Sequence, residues 1–263
     1  MITMVYKDIV TLEDSKSPMT EIYRNIRTNI EYANMDRELK VISVTSTTAN
    51  EAKSTVIANL AVMSANKEER VLIIDADLRR PSVHRFFRVQ NEQGLTDLTR
   101  AYSLLENNES IDYESYIKEF RHEEIGDNEK KIHILTGGMK IVNPAEFLGS
   151  KAFINLVNFL KTKYDRIYID TAPAGMFSDG VVVASASDGT VYVIESGRSK
   201  YDDVIQSVEA LKQTNAYIIG TILTKVPLSR KDKHQYYDYY RYYNEQVPTK
   251  KKWLFTKSKG GTK

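Results

Sequence analysis

The feature that most constrains this chain is a strand, a loop and a helix that follow one another between residues 41 and 63. The run Val41-Ile42-Ser43-Val44 is short and apolar, which predicts a buried strand, and residues 56–63 (VIANLAVM) favour a helix. The first N–H groups of a helix have no intrahelical partner and attract anions, so a loop ending in Lys-Ser-Thr at a helix start is typical of phosphate binding. We therefore call residues 46–55 the phosphate loop.

Each part of the phosphate loop has a predicted task. Lys53 is expected to contact the β- and γ-phosphates of a nucleotide, and the Ser54 hydroxyl to ligate Mg²⁺. The usual pattern has glycine before the lysine, whereas this chain has Ala52. Its Cβ would crowd the phosphates, and a positive φ would add strain of about 1 kcal/mol or more. The loop residues predicted to bind the nucleotide are Thr48, Ala49, Asn50, Glu51, Ala52, Lys53, Ser54 and Thr55.

The rest of the chain repeats the alternation of strand and helix. Five further apolar runs predict strands, and helical segments separate several of them; one helix is expected to start at Asn143-Pro144 and to run through Leu160. This order predicts an α/β fold, a mostly parallel β-sheet with helices on both faces. The runs lie at residues 70–77, 131–135, 165–170, 190–195 and 216–223.

Three carboxylates lie at the ends of predicted strands. Because ligands of such sheets bind at the carboxyl ends of the strands, Asp75, Asp77 and Asp170 are expected beside Lys53. Asp170 with Ser54 would hold Mg²⁺, and of Asp75 and Asp77 one would join the metal shell while the other accepts a proton. The alternative is that Asp75 and Asp77 only cap backbone N–H groups in a turn.

Composition narrows the class of protein. The 263 residues favour one large domain, and the absence of cysteine excludes a disulfide framework and a thiolate metal site. No run approaches the roughly 20 apolar residues that span a bilayer, so we expect a soluble, cytoplasmic protein. The net charge of +2 conceals a basic end: residues 225–263 carry eleven Lys or Arg against three Asp or Glu. Such a tail suits phosphate, headgroups or an acidic neighbour, or it is simply solvated.

The basic end also holds an unusual group of aromatic residues, which we call the tyrosine cluster. These rings are expected to be exposed on a flexible C-terminal tail, where they could stack on single-stranded nucleic acid or accept phosphate. A nucleotide site on the same chain favours the acceptor role. The tyrosine cluster consists of Tyr236, Tyr237, Tyr239, Tyr240, Tyr242 and Tyr243.

The N-terminal part begins with a loose lead-in, residues 1–16, followed by a helix within 17–35. Ile22, Ile26 and Ile30 form its apolar stripe. Three charged residues spaced three apart share another face, either as ordinary surface charge or as a surface that pairs with another subunit. They are Glu21, Arg24 and Arg27.

These motifs together resemble the bacterial tyrosine kinases of capsular and exopolysaccharide biosynthesis, from about residue 17 to the tyrosine cluster. The ExxRxxR pattern of residues 21–27 resembles the family's oligomerisation motif, and the phosphate loop resembles its Walker A motif. The run IIDADLR at 73–79 resembles its Walker A′ motif, and YIDTAP at 168–173 resembles its Walker B motif, with Ala172 replacing the first proline. NPAEFL at 143–148 is also similar to a family stretch.

The resemblance implies an ATP- and Mg²⁺-dependent autokinase that phosphorylates the tyrosine cluster in trans within a homo-oligomeric ring. It implies further partners: the cytoplasmic tail of a membrane-embedded polysaccharide co-polymerase that acts as modulator at the inner face of the plasma membrane, and a cognate tyrosine phosphatase. No nucleic acid is expected. Thr224 and Lys225 fall where the family has residues near the base, although Thr224 replaces the usual Asn. The implied domains are 1–16, a kinase domain at 17–225 and the tail at 226–263.

Two other functions compete with the autokinase. The first is a scaffold relative that forms the ring and binds the modulator but handles nucleotide poorly, as Ala52 and Thr224 would suggest. The second is a ParA/MinD-type ATPase that positions cargo. That class has another lysine early in the loop, where this chain has Thr48, and it has no need of a tyrosine cluster.

Overall fold

A computed structural model describes residues 9–33, 38–67, 69–105, 111–125 and 131–227. A seven-stranded sheet forms the centre, in the order β3-β4-β2-β5-β1-β6-β7. All neighbouring strands run parallel except β3 and β4, which are antiparallel. The strands are β1 Val41–Ser46, β2 Val71–Ala76, β3 Lys118–Phe120, β4 Ile132–Leu135, β5 Arg166–Thr171, β6 Gly189–Glu195 and β7 Ile218–Thr224.

Helices cover both faces of this sheet, as the alternating pattern predicts. On β1, Ile42 packs with α1, α2 and α3, whereas Val41 packs with α5 and α7, because successive side chains of a strand point to opposite faces. The helices are α1 Val10–Glu13, α2 Pro18–Tyr32, α3 Lys53–Ala65, α4 Val83–Phe86, α5 Leu95–Ser103, α6 Pro144–Leu148, α7 Lys151–Lys161, α8 Ser178–Ser185 and α9 Tyr201–Gln213, with 3-10 turns at Glu114–Tyr116 and Glu123–Ile125.

The described part of the expected lead-in is packed rather than loose. Ile9 and Leu12 are buried in the core. The backbone N–H and the hydroxyl of Thr11 both donate to Asn59 Oδ1 on α3, at 3.1 and 3.0 Å. Helix α1 is therefore held by the same helix that follows the phosphate loop.

The single helix expected from Asn143 to Leu160 is two helices. The first ends before Gly149, and Ser150 starts α7 by accepting a hydrogen bond from the N–H of Phe153 at 3.3 Å. The Asn143 side chain does not cap α6; it donates to Glu146 Oε2 at 3.1 Å. The helical spacing of apolar residues continues across this break, so the sequence pattern did not indicate a second helix start at Ser150.

Helix α2 buries a different stripe from the one its isoleucines predict. Tyr23 and Ile30 are buried and Ile26 is partly buried, but Ile22 is 41% exposed beside Met19.

In the part of the chain that the structure describes, no helix is both long and apolar enough to cross a membrane.

Candidate active site

The phosphate loop connects β1 to α3 and contains two residues in the left-handed region. Asn50 has φ 67°, and Ala52, the N-cap of α3, has φ 70° and ψ 25°. A non-glycine residue at such a φ costs roughly 1–2 kcal/mol. Loops with left-handed residues can turn successive N–H groups toward one side and form an anion-binding concavity. Ala52 therefore has the positive φ at which an alanine, in contrast to a glycine, adds backbone strain.

Buried contacts fix the conformation of the phosphate loop. Glu51 is fully buried; its Oε2 accepts a hydrogen bond from the Thr48 N–H at 2.8 Å, and its Oε1 accepts one from the Ser199 hydroxyl. Gly175, after β5, lies so close that a Cβ there would be 2.4 Å from the Thr47 carbonyl oxygen. Thr48 and Glu51 therefore shape the loop through hydrogen bonds within it.

The end of β7 touches the same loop. The Thr224 hydroxyl donates to the Glu51 carbonyl oxygen at 3.0 Å, and Lys225 Nζ donates to the Asn50 carbonyl oxygen at 2.7 Å. Lys225 Nζ also lies 3.0 Å from Glu195 Oε2. The two residues that the resemblance puts near a base thus bond to the loop backbone.

The predicted carboxylates meet beside Lys53. Asp75 and Asp170 are register partners on β2 and β5. Asp170 Oδ2 accepts a hydrogen bond from the Ser54 hydroxyl, and Asp75 Oδ2 accepts from the N–H groups of Ser82 and Val83 at 2.9 and 3.0 Å. Asp75 therefore does cap a turn, yet its Oδ1 and that of Asp170 are both buried without a hydrogen-bond partner.

Burial dominates the electrostatics of these carboxylates. It raises the pKa of Asp170 to about 6, against the opposing effect of Lys53. Burial and then the Asp170 charge hold the pKa of Asp75 well above its usual range, and burial also raises the pKa of Asp77. Ionised carboxylates packed this closely are unfavourable unless a cation joins them.

The residues fit Mg²⁺. Mg²⁺ is bound by one or two carboxylates together with waters and substrate phosphates, all oxygen ligands. The unpaired Oδ1 atoms of Asp75 and Asp170 and the Ser54 hydroxyl are oxygen donors of this kind. These three residues would hold the ion.

A cleft of about 580 Å³ opens over the phosphate loop. Residues that sequence analysis did not assign to the site complete its walls, including Arg80, Ser82, Phe86 and Phe177. The lining residues are Ala49, Asn50, Ala52, Lys53, Ser54, Thr55, Asp77, Arg79, Arg80, Ser82, Phe86, Pro173, Met176, Phe177 and Lys225.

One ion pair at this cleft was missed by sequence reasoning. Arg79 donates to both carboxylate oxygens of Asp179, at 2.7 and 3.1 Å, and its guanidinium lies 4.2 Å from the Phe177 ring centre. Asp179 is fully buried in the first turn of α8. The available signal was an acidic residue at the start of a helix after a strand.

The other predicted site residues lie elsewhere. On α2, the exposed Arg24 pairs with Glu21, whereas Arg27 donates to the Met63 carbonyl oxygen at 3.1 Å and lies 3.5 Å from Glu31. The tyrosine cluster lies outside the described residues.

Taken together, a mostly parallel sheet, a phosphate loop and strand-end carboxylates define a P-loop nucleotide-binding protein. Residues 42–252 match the family of CobQ/CobB/MinD/ParA nucleotide-binding domains. The chain is 36% identical to the tyrosine-protein kinase YwqD of Bacillus subtilis, over 89% of this chain and 91% of that protein. It is 32% identical to the putative tyrosine-protein kinase CapB of Staphylococcus aureus, over 84% and 91%.

A solved structure agrees with these sequence relatives. The crystal structure of the chimerical protein CapA2B2 matches with a TM-score of 0.74 and 31% identity, over 85% of this chain and 92% of that chain. The chain therefore belongs to the bacterial tyrosine kinases, a branch of the P-loop nucleotide-binding proteins.

Proposed function

We propose that this protein is an ATP- and Mg²⁺-dependent tyrosine kinase that phosphorylates the tyrosine cluster of a neighbouring copy. The observation that carries the proposal is the pair of orphaned carboxylate oxygens, on Asp75 and Asp170, beside Lys53 and the phosphate loop. Such a site supplies positioning and charge neutralisation, which are the main requirements of phosphoryl transfer.

The proposed step is an in-line transfer. The hydroxyl oxygen of the incoming tyrosine bonds to the γ-phosphorus, the bond between that phosphorus and the β–γ bridging oxygen breaks, and ADP leaves. Lys53 neutralises charge on the phosphates, and Asp77, which lines the cleft, accepts the tyrosine proton. Burial raises the pKa of Asp77, which makes its carboxylate a stronger proton acceptor. Mg²⁺ would supply further charge neutralisation at the phosphates.

We also propose a cellular setting for this activity. The protein would act in the cytoplasm at the inner face of the membrane as a ring of copies, and would regulate capsular or exopolysaccharide synthesis and export. The tail of a membrane-embedded polysaccharide co-polymerase would activate it, and a tyrosine phosphatase would reverse the modification. The tyrosine-kinase names of the relatives and the likeness to the CapA2B2 chimera support this setting.

The test is phosphate mapping by mass spectrometry after incubation of the full chain with Mg-ATP, with and without the modulator's cytoplasmic tail. We expect phosphotyrosine at residues 236–243 that disappears in Lys53→Met. Lys67→Met, on an exposed lysine paired with Glu31, is the matched control and should retain it.

Absence of phosphotyrosine under both conditions would contradict the kinase. If Ala52→Gly then restores both ATP binding and phosphotyrosine, the natural chain is the nucleotide-impaired scaffold instead.

A further inference from the structure

We infer that Thr224 and Lys225 are positioning residues of the phosphate loop, which hold its left-handed backbone in the phosphate-binding shape. The inference rests on the proposed nucleotide site, but it concerns how the site is built rather than the reaction. In this inference, the end of β7 holds the phosphate loop, whereas the family resemblance implies that it lies near the nucleotide base.

The contacts fall on the strained part of the loop. Thr224 donates to the carbonyl of Glu51, and Lys225 donates to the carbonyl of Asn50. These carbonyls belong to the two peptide units that connect the left-handed residues Asn50 and Ala52. The Thr224 hydroxyl lies 3.3 Å from the Ile194 carbonyl oxygen as well, which ties the loop to β6.

Fixing a carbonyl also fixes the N–H on the other side of the same peptide unit. The peptide plane is rigid, so a carbonyl held toward β7 turns its N–H away from β7. The N–H groups paired with these carbonyls belong to Glu51 and Ala52, next to the start of α3. A phosphate held by such N–H groups gains most when they are oriented before it arrives.

Lys225 is itself fixed by its surroundings. Its Nζ lies between the Asn50 carbonyl and Glu195 Oε2, and Glu195 also pairs with Arg198 at 3.1 Å. An ammonium group held by these acceptors is directed at the loop backbone. The Thr224 hydroxyl already donates toward the carbonyl oxygens of Glu51 and Ile194, at 3.0 and 3.3 Å, so its proton is not available to a base.

Calorimetry on the full chain separates the two roles, with Mg-ADP and Mg-GDP as probes. A residue that reads the base changes the ratio of the two affinities, whereas a residue that positions the loop changes both by the same factor. For Thr224→Val we expect both dissociation constants to rise about three- to tenfold, as for one lost hydrogen bond, with the ratio unchanged. Lys225→Met should act in the same direction, and Thr224→Ser should restore wild-type affinity.

Matched controls come from the same elements. Thr221→Val changes an exposed threonine on β7, and Lys212→Met an exposed lysine on α9; both should leave the two dissociation constants within about twofold. In the double variant Ala52→Gly with Thr224→Val, glycine adopts the left-handed φ without a steric penalty, so part of the lost affinity should return.

A changed ratio of ADP to GDP affinity would overturn the inference, as would unchanged affinity in Thr224→Val and Lys225→Met, or no gain in the double variant. If Thr224→Val does not fold, Thr224→Ala takes its place, because it removes the same hydroxyl from a half-buried position. A chain that binds ADP as expected but forms no phosphotyrosine contradicts the proposed kinase and leaves this inference intact.

Discussion

At the scale of single residues, replacing Ala52 by glycine would have two opposing effects on the free energy of unfolding. At φ 70° the alanine costs roughly 1–2 kcal/mol relative to a right-handed conformation. Glycine would remove that cost but would lose about 0.5–1 kcal/mol through the greater freedom of the unfolded chain. The two terms nearly cancel in folding, whereas only the first affects the shape of the folded loop.

We therefore expect Ala52→Gly to change the free energy of unfolding by less than about 1 kcal/mol while tightening Mg-ADP binding. Urea denaturation and calorimetry measure the two quantities. The matched control is Ala186→Gly, at a C-cap with φ −91°, which should destabilise by about 0.5–1 kcal/mol and leave ADP binding unchanged. Weaker ADP binding in Ala52→Gly would refute the idea that the alanine strains the loop.

His133 gives a pH-dependent prediction remote from the cleft. Its ring is buried, with Nδ1 2.6 Å from the Tyr164 hydroxyl and Nε2 without a hydrogen-bond partner. Burial, followed by the charges of Lys131 and Arg70, lowers its pKa to about 4, against the opposing effects of Glu119 and Glu114. Between pH 6.5 and 4 the unfolded chain binds the proton and the folded chain does not, so stability falls as the pH falls.

From pH 7 to pH 5 this histidine should cost about 1–2 kcal/mol of unfolding free energy. His133→Gln cannot take up the proton and should reduce the loss of stability by that amount in urea titrations at the two pH values. An equal pH dependence in wild type and His133→Gln would exclude this histidine as the cause.

At the scale of elements, two arginines of helix α2 that belong to the same sequence pattern, Arg24 and Arg27, have different surroundings. Arg24 and Glu21 form an exposed pair next to the exposed Met19 and Ile22, a surface suited to another copy of the chain. Arg27 is directed inward to the Met63 carbonyl, with its side chain only 17% exposed. The proposed oligomerisation role therefore belongs to the first turns of α2.

We expect Arg24→Ala to lower the oligomeric mass in light scattering with little change in unfolding free energy, because an exposed ion pair contributes only about 0–1 kcal/mol. Arg27→Ala should instead destabilise the subunit by roughly 1–2 kcal/mol, since it leaves the Met63 carbonyl without its charged donor. The same mass for Arg24→Ala as for wild type would rule out its role in pairing subunits.

Sequence reasoning worked best where one pattern dominates an element. Buried parallel strands such as β2 and β5 are continuous apolar runs, and each ends near an aspartate, so both the sheet and the meeting of Asp75 with Asp170 could be predicted. Strand β3 has only Lys118, Glu119 and Phe120, too few residues for any period, and its pairing depends on the neighbouring β4. Asp179 was missed because a buried ion pair depends on tertiary contacts 100 residues apart in sequence.

At the scale of the whole molecule, the proposed reaction in trans depends on distance. In sequence, the tyrosine cluster begins twelve residues beyond the end of β7, and a random coil of 11–18 residues has an end-to-end distance of roughly 17–25 Å. A domain of this size has a radius of gyration of about 17 Å. Over a distance of that order, the proposed transfer in trans requires subunits that touch, which connects the proposed reaction to the surface of α2.

Mixing two variants tests this dependence. One chain carries Lys53→Met and an intact tyrosine cluster; the other keeps Lys53 but has phenylalanine at all six cluster positions. With Mg-ATP, phosphotyrosine should form on the Lys53→Met chain, and its yield should fall when Arg24→Ala is added to both chains, because the cluster of one subunit then meets a neighbouring cleft less often. The matched charge control is Arg85→Ala, which removes an exposed arginine on the short helix α4 that does not line the cleft. Phosphotyrosine that forms only when Lys53 and the cluster share a chain would establish transfer in cis and separate catalysis from assembly.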